Sequence, residues 1–540
     1  MSKTRVWFYC LLTGIGYSLS VSNLFEGVHW GILAWIALVP LHRVLIGVTS
    51  GQAFRRGWLA GFFVFTGTMY WVVVSMHLYG QVPLPMSIAL MFLLTAYLGL
   101  FVGMYAWGFV WMEQRWGNVA WILAPCLWVS LEFLRTYAFS GLPWGLLGYS
   151  QFQWLPIIQI SDITSVYGVS FIIVLANVAL FILLRWILAK AKIRATLLQP
   201  WQPVAAATVI ILVVWLYGFF FLNSSSFSGA PKLSVGVVQA NIDQARKWDT
   251  AYRVDTLERY TRLTKTVTEG ADVIIWPEAA TPFLFEQEQG YQSLVVEMVE
   301  KAQLPLVFGS PALRRYDDGR PYLLNSAYVL KPDGELTGRY DKQHLVPFGE
   351  YIPLKQFLFF LDKLVVGIGD FQAGPGPTLL SIPHGPDQQQ VQFGVAICFE
   401  VIFPDLVRQL ANAGSNFLVT ITNDAWFGNT VAPYQHFAMV VFRAVENRMA
   451  FARAANTGIS GFIDPSGHII AVTPIFTEQA IIGSIPLGTP STFYTQFGDV
   501  FAWACVIMTV FLILFTRFFR KPTAVETIFQ YPSPRQGTKE

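Results

Sequence analysis

The cysteine at position 398 stands where an apolar run, residues 391–398, stops abruptly and gives way to "CFE". The other three cysteines, Cys10, Cys126 and Cys505, lie inside long apolar stretches. A lone thiol reads either as a small core residue or as a nucleophile. Two more residues bear on the choice: Glu278 in "IIWPEAA", after an apolar run, and Lys342 in "RYDKQHLVPFGEY" also read as strand-end residues. Each has an ordinary explanation when taken singly. Glu278 suits the cap of a following helix, Lys342 a solvated surface, and Glu350 in "PFGEY" a loop carboxylate accepting backbone hydrogen bonds. Together, a carboxylate, an ammonium and a thiol at three strand ends are the parts that acyl transfer through a thioester requires.

The chemistry assigns each part a task. A free thiol has a pKa of about 8.5, so only a few per cent is thiolate near neutrality. A neighbouring carboxylate takes the proton during attack if an apolar pocket raises its pKa toward the working pH. That is the expectation for Glu278, preceded by "IIW" and Pro277. Negative charge then builds on the acyl oxygen. Lys342 offsets it with the backbone N–H of Phe399, and one such donor is worth about 2.7–4 kcal/mol. Glu350 is expected to orient Lys342.

A layered α/β domain must position these residues, because strand and helix patterns alternate between 228 and 489. Strands are expected at 233–240, 272–278, 304–310, 326–330, 391–398 and 416–427. Helices are expected at 251–269, 292–302, 405–413 and 435–456, before a hairpin turning at Pro465-Ser466-Gly467. Reactive residues in such folds gather at strand ends.

The rest of the chain is apolar. Of 540 residues, 54% are hydrophobic and 13% charged, against roughly 25% charged in a soluble domain, which argues for several membrane spans. The net charge of +3 is too small to suggest nucleic acid, and four scattered cysteines make neither a disulfide framework nor a zinc site. Eight spans are expected, at 6–22, 30–48, 57–76, 86–112, 119–137, 166–189, 204–222 and 500–519. The first also fits a cleaved signal peptide loosely. Lys3, Arg5, Arg43, Arg55, Arg56, Arg115, Arg185, Lys190, Lys192, Arg194, Arg517, Arg520 and Lys521 all fall on one side of this arrangement. The positive-inside rule then places both termini in the cytoplasm and residues 228–489 outside. Three regions result: 1–227, 228–489 and 490–540.

"WPE", "DKxHLVPFGEY" and "CFE", in this order, resemble the Glu-Lys-Cys triad of the nitrilase superfamily. Joined to a multispan region, and with "ITNDAWFG", they resemble the bacterial apolipoprotein N-acyltransferase family over nearly the whole chain. The resemblance implies an α-β-β-α sandwich outside an inner membrane, on the periplasmic side. It also implies a ping-pong reaction in which Cys398 takes a fatty acyl chain from a phospholipid, typically phosphatidylethanolamine. The chain then passes to the N-terminal amine of a diacylglyceryl-modified lipoprotein. Glu278, Lys342 and Cys398 carry the triad roles, while Glu350, Glu400 and Trp248 match further family positions. Phe399 departs from a position where relatives often have tyrosine. No metal, nucleotide or other cofactor is expected.

Lipid substrates need a thiol near the bilayer, since moving an acyl chain into water costs about 0.8 kcal/mol per CH₂. Trp426 and Phe427 read as an apolar wall for substrate. The segment 354–371 reads as an apolar lid or as a buried helix. Glu132 and Arg135, with Pro143 and Trp144, read as shaping lipid access or as a salt bridge inside the bundle. A membrane-bound amidase passing the acyl group to water is the nearest rival. A transporter or inactive scaffold is more distant, because all three triad residues are present and no paired broken-helix halves appear.

Overall fold

The computed structural model of the chain describes residues 1–22, 30–116, 119–189, 199–224, 229–352, 371–385, 387–489 and 491–515. The expected lid at 354–371 lies outside the described residues apart from Phe371, as do residues 190–194 and 516–540.

Among the described residues between 229 and 489, the strands form two six-stranded sheets. One has the order β12-β1-β2-β3-β4-β5 and the other β11-β10-β9-β8-β7-β6. The strands are β1 (Lys232–Gln239), β2 (Val273–Ile275), β3 (Leu306–Arg315), β4 (Pro321–Leu330), β5 (Leu336–Asp341) and β6 (Leu380–His384). Then follow β7 (Gln389–Ile397), β8 (Phe417–Thr422), β9 (Phe451–Ala455), β10 (Gly461–Ile463), β11 (Ile469–Val472) and β12 (Gln479–Pro486). The central strands are apolar on both faces, because each sheet is covered twice. In the first sheet Val235, Val237, Val273, Ile275 and Val307 share the core that also holds Val395, Ile397 and Val419 of the second. Their neighbours Val238, Ile274, Trp276, Leu306 and Phe308 point the other way, into a second core with Leu257 and Tyr260 of the helix Arg253–Lys265 and Val295 and Val299 of the helix Gln289–Ala302. Helices Pro404–Asn412 and Ala432–Asn447 accompany the second sheet. β1-β2-β3 and β7-β8-β9 are parallel, and their carboxyl ends carry the loops of interest.

The expected helix 435–456 is corrected. The helix ends at Asn447, Arg448 turns left-handed at φ 51°, and residues 451–455 form β9. No Gly or Pro marks that break, so the apolar run reads through it. β5, β6 and β12 were not among the expected strands. β2 ends at Ile275, which leaves Glu278 in the turn beyond it.

In the helical region, Leu84–Trp116, Ser161–Leu188 and Trp201–Asn223 are long and apolar enough to cross a membrane, and Ser50–Met69 with Val72–Tyr79 forms a pair bent by 58°. Lys3–Ser22 and Val119–Tyr137 are helices of 20 and 19 residues, and Val500–Phe515 is a shorter apolar helix. The expected second span, 30–48, is not one helix. It consists of a 3-10 turn, Trp30–Trp35, and a six-residue helix, Val39–Val44, with Pro40 in its first turn, where proline is tolerated because no N–H is needed.

The helix Ala432–Asn447 is buried along its length and docks onto the helical region. Ser165, at φ 56°, breaks the helix Ser161–Leu188. The Ser165 hydroxyl and the Val166 N–H, freed by the break, donate to Glu446 Oε1 at 2.7 and 3.0 Å. Arg443 Nη2 also donates to that oxygen, at 2.9 Å, and Arg448 Nη2 donates to Asp162 Oδ2 at 2.6 Å.

Candidate active site

Strand ends bring Glu278, Lys342 and Cys398 together. Cys398 follows β7 at φ 52°, a left-handed conformation that non-glycine residues rarely adopt without a reason. The strand ends there and a 3-10 turn, Cys398–Ile402, begins, so the thiol projects from a sharp corner. Thr422 closes β8, the strand paired alongside β7. Protein surrounds the side chain, leaving only a partial opening to solvent. Burial, then the Glu278 charge, push the Cys398 thiol well above its ordinary value, while Lys342 acts in the opposite direction. The resting group is therefore a thiol, and attack requires a base to take its proton as it proceeds.

Glu278 is set in place by donors rather than by the expected apolar pocket. Asn325 Nδ2 donates to its Oε1 at 2.7 Å, and the Asn423 N–H donates to its Oε2 at 2.8 Å. Lys342 Nζ lies 3.8 Å from Oε1. The turn is tight: Ala279 has φ 47°, and Gly309 of β3 passes so close that a Cβ there would sit 2.6 Å from the Ala279 nitrogen. Only glycine admits that approach.

Lys342 is 1% exposed, and its Nζ donates to Glu350 Oε1 at 2.9 Å. Glu350 also accepts from Asn325 Nδ2 and from the Val346 N–H. Burial disfavours the ammonium, but Glu350 first, then Glu278, outweigh it and hold Lys342 well above its ordinary range. It is a fixed cation, suited to stabilising negative charge and unsuited to carrying protons.

Glu400 ties the parts together. Its Oε2 accepts from the Ile397 N–H at 2.7 Å, and its Oε1 accepts from Tyr340 Oη, the Gln343 N–H and the His344 N–H at 2.9, 2.6 and 3.1 Å. One carboxylate thus locks the strand end before Cys398 to the loop bearing Lys342. Burial pushes Glu400 up to about 7 against those hydrogen bonds.

The remaining residues sit around this core. Phe399 packs on Phe403 and His344, ring centroids 5.2 and 5.8 Å away. Trp248 is 48% exposed. Trp426 and Phe427 lie where the two regions meet: Ser75 Oγ donates to the Trp426 carbonyl at 2.7 Å, and Phe427 packs edge-on against Trp71 and Trp144. Glu132 and Arg135 brace the loop that carries Trp144. Glu132 Oε1 accepts from the Leu147 N–H and Arg135 Nη1 donates to the Trp144 carbonyl, both at 2.8 Å.

Several polar residues escaped the sequence reading. His436 Nε2 donates to the Cys398 carbonyl at 3.2 Å, and its Nδ1 lies 3.0 Å from Asp424 Oδ1 and 3.1 Å from Arg453 Nη2. Burial and Arg453 push His436 below its ordinary value. Burial opposes the Asp424 charge, but Arg453 outweighs it and holds that carboxyl down at about 2. Asn423 and Asp424 belong to "TND" directly after β8, a strand-end cluster that marked the place without its partners.

The chain matches the family described as Apolipoprotein N-acyltransferase N-terminal domain over residues 13–179, and Carbon-nitrogen hydrolase over residues 234–492. It is similar to the apolipoprotein N-acyltransferase of Geobacter metallireducens, 42% identical over 504 residues that make up 93% of each chain. The apolipoprotein N-acyltransferase of Pseudomonas aeruginosa is 32% identical over 459 residues, 84% of this chain and 85% of that one. That of Chlorobaculum tepidum is 31% identical over 532 residues, 93% of this chain and 95% of that one. With the order of its two regions and the strand-end cluster alike accounted for, the chain belongs to the apolipoprotein N-acyltransferase family.

Proposed function

We propose that this enzyme transfers a fatty acyl chain from a membrane phospholipid, through a thioester on Cys398, to the N-terminal amine of a diacylglyceryl-modified lipoprotein. The observation that carries this reading is the meeting of a buried, permanently charged Lys342 with Glu278 beside a protonated, strand-end thiol. In the first step the sulfur attacks the ester carbonyl as Glu278 takes its proton. Lys342 and the Phe399 N–H stabilise the oxyanion. The C–O bond breaks, and Glu278 returns the proton to the departing lysophospholipid. In the second step the free amine attacks the thioester, an amide forms, the C–S bond breaks, and the proton passes by way of Glu278 to the sulfur. No proton is consumed over the cycle.

Glu350 and Glu400 hold Lys342 and its loop in place, and Trp248, Trp426 and Phe427 offer apolar surface to acyl chains. Residues 1–227 and 490–540 anchor the enzyme in the inner membrane by multiple spans. The one-sided distribution of Lys and Arg supports cytoplasmic termini and a periplasmic 228–489 domain. Phosphatidylethanolamine is the proposed donor.

The test uses the purified full chain with acyl-labelled phosphatidylethanolamine and a diacylated lipopeptide. Label on Cys398 that is chased onto the peptide amine is the expected result. Release of the label as free fatty acid in place of transfer refutes the acyltransferase reading, and a Cys398 that never carries label refutes the thioester.

A further inference from the structure

A buried cation beside Glu278 has no part in the steps above. Lys247, in the loop after β1, is 1% exposed, and its Nζ donates to the main-chain carbonyl of Glu278 at 3.0 Å. Its neighbours Arg246, Trp248 and Asp249 point to solvent, so this loop turns one cation inward deliberately. The loop is itself stitched to the site. Asn423 Nδ2 donates to Gln244 Oε1, and Asn456 Nδ2 donates to the carbonyls of Ile242 and of the Asn423 side chain.

Charge balance gives Lys247 its meaning. Glu278 and Glu350 bring two negative charges, and Lys342 answers only one of them. Asp424 is matched by Arg453, with His436 at its side, and Glu400 is satisfied by four donors, so neither group offers a spare cation. Lys247 is the second positive charge, and it interacts with both Glu278 and Cys398. Its hydrogen bond also holds the carbonyl at the left-handed turn into Ala279.

We propose that Lys247 is a positioning residue that fixes the main chain of Glu278 and supplies the positive charge allowing the Glu278 carboxylate and the Cys398 sulfur to share one proton in a buried site. This rests on Cys398 and Glu278 being nucleophile and base. Burial pulls the Lys247 ammonium down to about 8 against the opposite pull of Glu278 and Cys398, so the charge is present below that pH and is lost above it.

The experiment follows alkylation of Cys398 by iodoacetamide against pH in the full chain, read by mass spectrometry of its peptide. Lys247→Gln keeps a donor without charge, Lys247→Arg keeps charge, and thermal melting checks that each variant folds. In Lys247→Gln the profile is expected to move up by about one pH unit, a roughly tenfold slower reaction near pH 7. The gap from wild type should narrow above about pH 8, where wild-type Lys247 is neutral too. Lys247→Arg should follow wild type below about pH 8 and react faster than wild type above it, where arginine alone keeps its charge. A Lys247→Gln profile that coincides with wild type, or a slower rate with an unmoved profile, overturns the proposal. So does a Lys247→Arg enzyme with the Lys247→Gln profile. Glu278→Gln separates the underlying reading: if it leaves the profile unmoved, the nucleophile–base pair fails whatever Lys247 does.

Discussion

Two buried clusters of charge invite comparison. Where the α/β domain meets the helical region, Arg443 Nε lies 2.9 Å from Glu446 Oε2 with both side chains fully buried, and the broken helix at Ser165 supplies two more donors. At the strand ends, Lys342 sits 2.9 Å from Glu350 but 3.8 Å from Glu278. The junction pairs its acid with a guanidinium, whose rigid fork suits a fixed contact. The site uses an ammonium, a point charge that serves whichever negative group lies nearest. The junction sets its acid against its cation at close range, while the site keeps Glu278 farther from Lys342, with Asn325 and the Asn423 N–H as its nearer donors.

Substitutions separate the two clusters by effect. Cys398→Ala removes the proposed nucleophile, and capture of acyl label should vanish while the melting profile stays near wild type. Glu278→Gln should slow capture by about 10²–10⁴-fold, and Lys342→Met by about 10²–10³-fold, again in folded protein; normal capture in either breaks the contrast. Glu446→Gln leaves Arg443 buried without its anion. It should cost about 3–5 kcal/mol of stability, seen as a lower thermal midpoint, with acyl transfer retained at low temperature. If its midpoint holds and its acyl transfer falls instead, the junction belongs functionally to the site. Glu350→Gln should cost about 1.5–3 kcal/mol of activation, roughly 10–100-fold in rate, by loosening Lys342. Replacing Cys10, Cys126 or Cys505 by Ala should cost about 1 kcal/mol of stability or less and leave labelling of Cys398 intact.

The strand-end cluster was legible in part from local marks: an apolar run stops just before Glu278 and at Cys398, whereas Lys342 follows the polar strand Leu336–Asp341 and stood out by its motif. Lys247, Asn325, His436 and Arg453 carry no such mark, since their meaning comes from partners on distant strands: Asn325 Nδ2 reaches Glu278 across 47 residues and His436 reaches the Cys398 carbonyl across 38. The sandwich was legible from strand–helix alternation, yet its edges were not. β12 is short of apolar contrast, with only Gly483 and Ile485 buried along it, and its place beside β1 is a long-range pairing. The helix–strand boundary at 447–451 was hidden by a left-handed arginine in place of a glycine. The run at 30–48 is apolar enough to span, but folds as two short pieces packed among neighbours.

The break at Ser165 carries a consequence for biogenesis. Glu446 fills a gap in a helix made nearly three hundred residues earlier, so the late-synthesised domain completes a hydrogen-bond ladder left open in the bundle. A fragment starting near residue 229 would expose the apolar surface of the helix Ala432–Asn447 and a desolvated Arg443–Glu446 pair to water. Expressed without its bundle, that fragment should aggregate, and co-expression of the missing half should rescue it.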